Sequence, residues 1–276
     1  MNIIGIGNAG TAIAEGFSNH PQYSIYKIDV GLEGVNCFPI KAQKTPEDYE
    51  KNVPSFKKFL KDIKGETLLI IGGSGYISAI SLRVLQALKD KRETSILYIR
   101  PDLALLSQIK RACEKVTYSV LQEYARSGAI KQIYFVDNPT LESIIGEISI
   151  IEYFNKINDL IISSFHMISV YRNSQPILGV LSEPGLTRRI TTFGVFDIAS
   201  GKENLFFPLD NISETCYIYA VSESRLREEG GLHRKITSQM RERATNEDID
   251  ASFGVFSTNY ENDYGYLLAH SELIQP

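Results

Sequence analysis

The chain of 276 residues is 43% hydrophobic and 22% charged, with a formal net charge of -4. That apolar fraction can bury a core in one large domain or two ordinary ones, which excludes disorder as the dominant state. The missing basic excess argues against a nucleic-acid partner, and no apolar run approaches the roughly 18 residues of a membrane-spanning helix.

Asn2-Ile3-Ile4-Gly5-Ile6-Gly7 is a short apolar run ending in glycines, followed by Ala9, Thr11, Ala12, Ile13 and Ala14. It predicts a buried strand, a tight turn and a helix. Residues 23–30, YSIYKIDV, alternate aromatic and β-branched side chains around a second strand that closes on Asp29. Thr45-Pro46-Glu47-Asp48 opens a lysine-rich helix whose buried face would be Phe56, Phe59, Leu60 and Ile63. Thr67–Ile71 is a wholly apolar strand that runs into Gly72-Gly73-Ser74-Gly75, with Ile77, Ile80, Val84, Leu85 and Leu88 at helical period behind it. The pattern repeats through SILYI, a break at Arg100-Pro101-Asp102, a long helix and KQIYFVDN. Such alternation predicts an α/β domain over residues 1–148, with a Rossmann-like parallel sheet covered on both faces.

Residues 149–173 read as one long apolar-periodic helix between domains. Beyond Pro176 short strands (ITTFGVFDIA, TCYIYAVS, ASFGVFS, YGYLLAHS) surround one helix, HRKITSQMRERA. They predict a smaller C-terminal α+β domain over 174–276 on a mixed or antiparallel sheet. The mixed charges of Glu223–Arg243 read as a solvated face or a polar subunit contact. Cys37, Cys113 and Cys216 are scattered, which predicts buried thiols in a reducing cytoplasm and neither disulfides nor a metal site. The start MNIIGIGN shows no basic leader, so no export is expected. His166 on the long helix is expected to be a packed core residue.

Gly5-Ile6-Gly7-Asn8-Ala9-Gly10 fits G-x-G-x-x-G between a strand and a helix. Glycines let backbone amides approach a phosphate, and the helix start adds unpaired N–H groups and a positive dipole end. With Asp29 placed to hold a ribose hydroxyl, this much alone fits an NAD(P)-dependent oxidoreductase, or a turn with no ligand at all. Gly72-Gly73-Ser74-Gly75 supplies a second anion cradle, which suits a nucleoside triphosphate better than a dinucleotide. A P-loop is absent, so amides, hydroxyls and a metal ion such as Mg2+ would hold the phosphates.

The order of these motifs resembles the tubulin/FtsZ family of filament-forming GTPases. GIGNAG is similar to its first glycine loop, GGSGYIS to its G-G-x-T/S-G-T-G loop, IKQIYFVDNPTL to I-V-I-P-N-D-x-L-L, and IIEYFNKIND to the start of its central helix. TTFGVFDIASG and RERATNEDIDASFGVFSTNYENDYGYLLAHS follow its later strands and final helix, so the resemblance covers nearly the whole chain. It implies that Gly5, Gly7, Asn8, Ala9 and Gly10 line the α/β-phosphates and that Gly72, Gly73, Ser74 and Gly75 cradle the β/γ-phosphates. Asp29 would face the ribose or base. Phe154 would stack on guanine while Asn158 and Asp159 reach its edge, a carboxylate accepting from N1–H and the 2-amino group that adenine lacks. Without the resemblance, Phe154 reads as core and Asn158-Asp159 as a helix N-cap with an acidic first turn.

The departures also carry expectations. The family's N-x-D-x-x-D loop is matched by residues 175–185, QPILGVLSEPG, whose one carboxylate is Glu183, so hydrolysis completed across a subunit contact would be slow or lost. Tyr76 and Ile77 stand where the family has T-G, and Tyr76 would shape or block the γ-phosphate pocket. The resemblance implies GTP or GDP as ligand and a head-to-tail homopolymer as assembly, in a mobile-element or phage version without the family's C-terminal extensions. A non-hydrolysing protein that modulates a host filament is the remaining alternative.

Overall fold

The computed structural model describes residues 1–89, 93–246 and 249–276, and the chain forms two compact units, 1–162 and 163–276. Residues 247 and 248, within the segment matched above to the final helix and strands, lie outside the described residues.

The first unit runs β1 (Asn2–Ile6), α1 (Gly7–Gly16), β2 (Ser24–Val30), β3 (Cys37–Ile40), α2 (Pro46–Asn52) and β4 (Thr67–Gly72). It continues with α3 (Ser81–Ala87), β5 (Thr94–Arg100), α4 (Gln108–Arg126), β6 (Gln132–Asp137), α5 (Asn138–Ile145) and the first half of α6 (Tyr153–Arg172). The strands lie in the order β3-β2-β1-β4-β5-β6, and every neighbouring pair is parallel. Burial explains the unbroken apolar runs. Ile3, Ile4, Leu68, Leu69, Ile70, Ile71, Ile96 and Leu97 are all at 0% exposure, because helices cover both faces of a parallel sheet.

Two helix expectations need correction. The helix opened by Thr45, whose Oγ1 accepts from the Asp48 amide, ends at Asn52. Val53 is extended (φ -72°, ψ 132°), since Pro54 disfavours helical backbone before it and lacks an N–H. Phe56, Leu60 and Ile63 are still buried, but from the turns after the helix, where the Phe38 ring packs at 4.9 Å from Phe56 and 5.1 Å from Phe59. Likewise α6 starts at Tyr153 and not at Ser149. A turn closed by the Glu152 amide on Ser149 precedes it and leaves Ile150 and Ile151 exposed.

The edge strand β3 was not legible. Its tetrapeptide CFPI is too short to show a period, and Pro39 cannot donate to a ladder, which restricts it to an edge. The six-residue return from β2 uses left-handed backbone at Gly31, Gly34 and Asn36 to re-enter in parallel.

The second unit holds the rest of α6, then β7 (Leu178–Val180), β8 (Ile190–Phe196), β9 (Glu203–Leu205), β10 (Ile212–Ser222), α7 (Glu223–Glu228), α8 (Leu232–Asn246), β11 (Asp250–Thr258) and β12 (Tyr264–Ser271). Its sheet is mixed: β12 lies antiparallel between β8 and β10, β11 runs parallel to β10, and β7 and β9 pair antiparallel at the margins. The parallel β10–β11 pair requires a crossover, which α7 and α8 supply. Leu232, Ile236 and Met240, one turn apart on α8, pack on Tyr217, Tyr219 and Val255. Arg243 departs from the solvated face expected of this segment. Its guanidinium lies 4.0 Å over the Tyr217 ring and 2.9 Å from the Glu203 carboxylate. The core histidine is His270, while His166 is half-buried.

Candidate functional site

The connection after β1 goes to one side of the sheet, to β2, while β4 lies on its other side. This is a topological switch point, where an open parallel sheet leaves a crevice beyond the carboxyl ends of its strands. Both glycine turns sit there. Ile6, the last residue of β1, pairs with Ile28 of β2 and Ile71 of β4, so Gly7, Asp29 and Gly72 emerge side by side. A Cβ on Gly72 would lie 3.3 Å from that of Ala9, so the two turns are in contact.

The glycines are needed for different reasons. Gly7 has φ +69°, in the left-handed region that favours glycine. A Cβ on Gly10 would sit 2.5 Å from the Ile70 carbonyl oxygen, and one on Gly5 would sit 2.3 Å from that of Gly10, so these two let α1 press onto the sheet. On Gly73 it would fall 2.4 Å from the Tyr98 hydroxyl. That hydroxyl donates to the buried Glu114 carboxylate at 3.1 Å, with the Arg100 guanidinium 3.8 Å away. Burial, then the adjacent Glu114 charge, push the Tyr98 phenol well up, and burial pushes Glu114 up despite Arg100. The second turn therefore rests on an ordered polar cluster, and Ser78 Oγ donates back to the Gly72 carbonyl at 2.5 Å.

The start of α1 suits an anion. Its preceding residue Ile6 gives no side-chain cap, the first turn holds no acid, and Asn8 and Ala9 are exposed, so amides and dipole are presented without a competing carboxylate. The group narrowing the approach is Ile77. Its Cγ2 lies 2.6 Å from where a Cβ on Gly7 would be, and 3.3 Å from one on Gly75. Tyr76, expected to shape this space, lines a groove of about 310 Å³ with Gly75, Pro46, Ala112 and Val116. Asp29 is half-buried, and its Oδ1 accepts from the Val30 amide at 2.7 Å. Ser74 is half-buried and Gly75 exposed.

Helix α6 begins at the same edge. Tyr153 donates to Glu142 at 3.1 Å, and its phenol is pushed up to about 12, by burial first, then Glu142, then the Asp102 and Asp137 carboxylates beyond β5 and β6. Ile162 packs at the other end of α1, its Cδ1 2.3 Å from where a Cβ on Gly16 would be. Phe154, Asn158 and Ile162 share one face at intervals of four residues. Phe154 stands about 12 Å along the axis from Ile162, close to the length of roughly 14 Å from Gly16 back to Gly7. Neither local explanation of these residues survives: Phe154 is 68% exposed and so not core, and Asn158 and Asp159 lie in the second turn of α6, not at its cap.

In the second unit, Glu183 is exposed, and its carboxylate is paired with Arg172 Nη2 at 2.8 Å.

The sequence matches no protein-family model and no curated protein. Solved structures do match over nearly the whole chain. CetZ from Methanosaeta thermophila strain DSM 6194 is 16% identical with a TM-score of 0.69, covering 98% of this chain and 85% of its own. TubZ of Bacillus thuringiensis serovar israelensis, as a GTPγS-form protofilament, is 15% identical with a TM-score of 0.74, covering 98% and 86%. An empty FtsZ dimer from M. jannaschii is 12% identical with a TM-score of 0.65, covering 98% and 87%.

Proposed function

The chain has the tubulin/FtsZ fold, and from that premise we propose that it binds a guanine nucleotide and assembles head-to-tail with slow or absent hydrolysis. The observation that carries this reading is the contact between two glycine turns at the switch point of a parallel sheet, beside an uncapped helix start. Amides of Gly7, Asn8, Ala9 and Gly10 would hold the α/β-phosphates, and those of Gly72, Gly73, Ser74 and Gly75, with Ser74 Oγ, the β/γ-phosphates. Bound Mg2+ would neutralise phosphate charge. Asp29 would receive the ribose, Phe154 would stack on the base, and Asn158 and Asp159 would select guanine by its donors. The Arg172–Glu183 pair supports slow turnover, because the one carboxylate of that loop is already engaged.

Mass spectrometry of the nucleotide that copurifies with the protein tests the ligand, with titration of GTP against NAD(H) as its complement. GDP or GTP is expected, and preferential NAD(H) binding would replace this reading with the oxidoreductase one. Pelleting with GTP and with a slowly hydrolysed analogue tests assembly. No pellet at any concentration would leave a nucleotide-binding protein that acts on other filaments.

A further inference from the structure

The segment from Ser182 to Arg188 carries Glu183 and the 83%-exposed Leu186, yet holds no helix or strand of its own. Both its ends are fastened to one buried side chain. Glu214 on β10 is 4% exposed, and its Oε1 accepts from Ser182 Oγ at 2.5 Å while Oε2 accepts from Arg188 Nη1 at 3.0 Å. The anchors are themselves braced. The Ser182 amide donates to Ser252 Oγ at 3.2 Å, and Arg188 also reaches Asp250 at 2.6 Å and Glu272 at 3.3 Å. Burial works against the Glu214 charge, but the bonds from Ser182 and Arg188 prevail and hold its carboxyl below the usual range.

We infer that Glu214 is a positioning residue that closes the 182–188 segment into a preformed loop and so presents Glu183 and Leu186 to a second copy of this chain. The loop-closing part stands on the contacts alone, and the presentation rests on the assembly reading above. A carboxylate using both oxygens on the two ends of a loop removes most of its conformational freedom before any partner arrives, which lowers the ordering cost of association.

The test compares wild type with Glu214→Gln and with the double variant Glu214→Gln/Arg188→Met, which leaves no unpaired buried charge. Hydrogen exchange of amides 183–188 is expected to quicken at least tenfold, with β10 and β12 amides unchanged. The concentration needed to pellet with the slowly hydrolysed GTP analogue is expected to rise several-fold, while nucleotide affinity stays within twofold. Unchanged exchange in 183–188, or equal acceleration across β10 and β12, would overturn the clamp. If wild type does not pellet, the assembly reading falls and the exchange comparison still decides the clamp.

Discussion

At the scale of single residues, the first glycine turn separates two demands that G-x-G-x-x-G merges. Gly5 and Gly10 serve helix-to-sheet approach, while Gly7 serves backbone shape. Gly10→Ala would drive a methyl against the Ile70 carbonyl and is expected to cost about 1–3 kcal/mol in urea unfolding. Gly230→Ala, where a Cβ meets nothing within 4 Å, should stay within about 0.5 kcal/mol. Ile77 is a different matter, because its methyl sits at the approach to Gly7. Trimming it by Ile77→Ala should tighten binding of a fluorescent GTP analogue by roughly threefold or more, about 0.7 kcal/mol. Weaker binding would mean that Ile77 lines the site and does not crowd it. The pattern G-G-S-G was legible, but which side chain closes on it was not, since Tyr76 and Ile77 are adjacent and only the Tyr76–Ile80 turn decides where each points.

At the scale of elements, α6 shows how an apolar period can hide an exposed aromatic. Its buried residues Ile157, Ile161 and Ile168 set the helix, and Phe154, three residues before Ile157 on the same face, is exposed in the first turn. Phe154→Ala is therefore expected to leave stability within about 0.5 kcal/mol while weakening guanine-nucleotide affinity by about 1–3 kcal/mol. Equal affinity in an isothermal titration would remove Phe154 from the base site. On β12, burial holds the His270 imidazole down to about 4, the Arg172 and Arg188 charges adding to it and Glu214 opposing it. Between about pH 6.5 and 4 the unfolded chain thus binds the proton that the folded one refuses. Stability should fall as pH drops through that window, by about 3 kcal/mol in all, and not change further below it on this account. His270→Gln should flatten that part of the curve in denaturant titrations at successive pH values. A curve identical to wild type would assign the acid sensitivity elsewhere.

At the scale of the whole molecule, the chain keeps the tubulin/FtsZ fold across nearly its full length at 12–16% identity to three solved structures. A fold tolerates such divergence because cores ask for volume and pattern more than for identity. Loop residues have no such protection, and in the 175–185 segment the one carboxylate, Glu183, is tied to Arg172. Arg172→Ala frees it. If Glu183 takes part in turnover, phosphate release at saturating GTP should rise with Arg172→Ala and return to the basal rate when Glu183→Ala is added. Equal release in all three proteins would exclude Glu183 from the chemistry.

What the sequence determined by itself was local: which runs are strands, where glycine turns interrupt them, and the change from a parallel to a mixed sheet beyond Pro176. Period and turn chemistry act within a few residues, so they are written along the chain. Only the tertiary structure decided that β1 and β4 are neighbours, that Ile77 and not Tyr76 meets Gly7, that Phe154 faces solvent, and that Glu214 holds both Ser182 and Arg188. Those contacts join residues far apart in sequence, and packing and charge choose them after the local elements have formed.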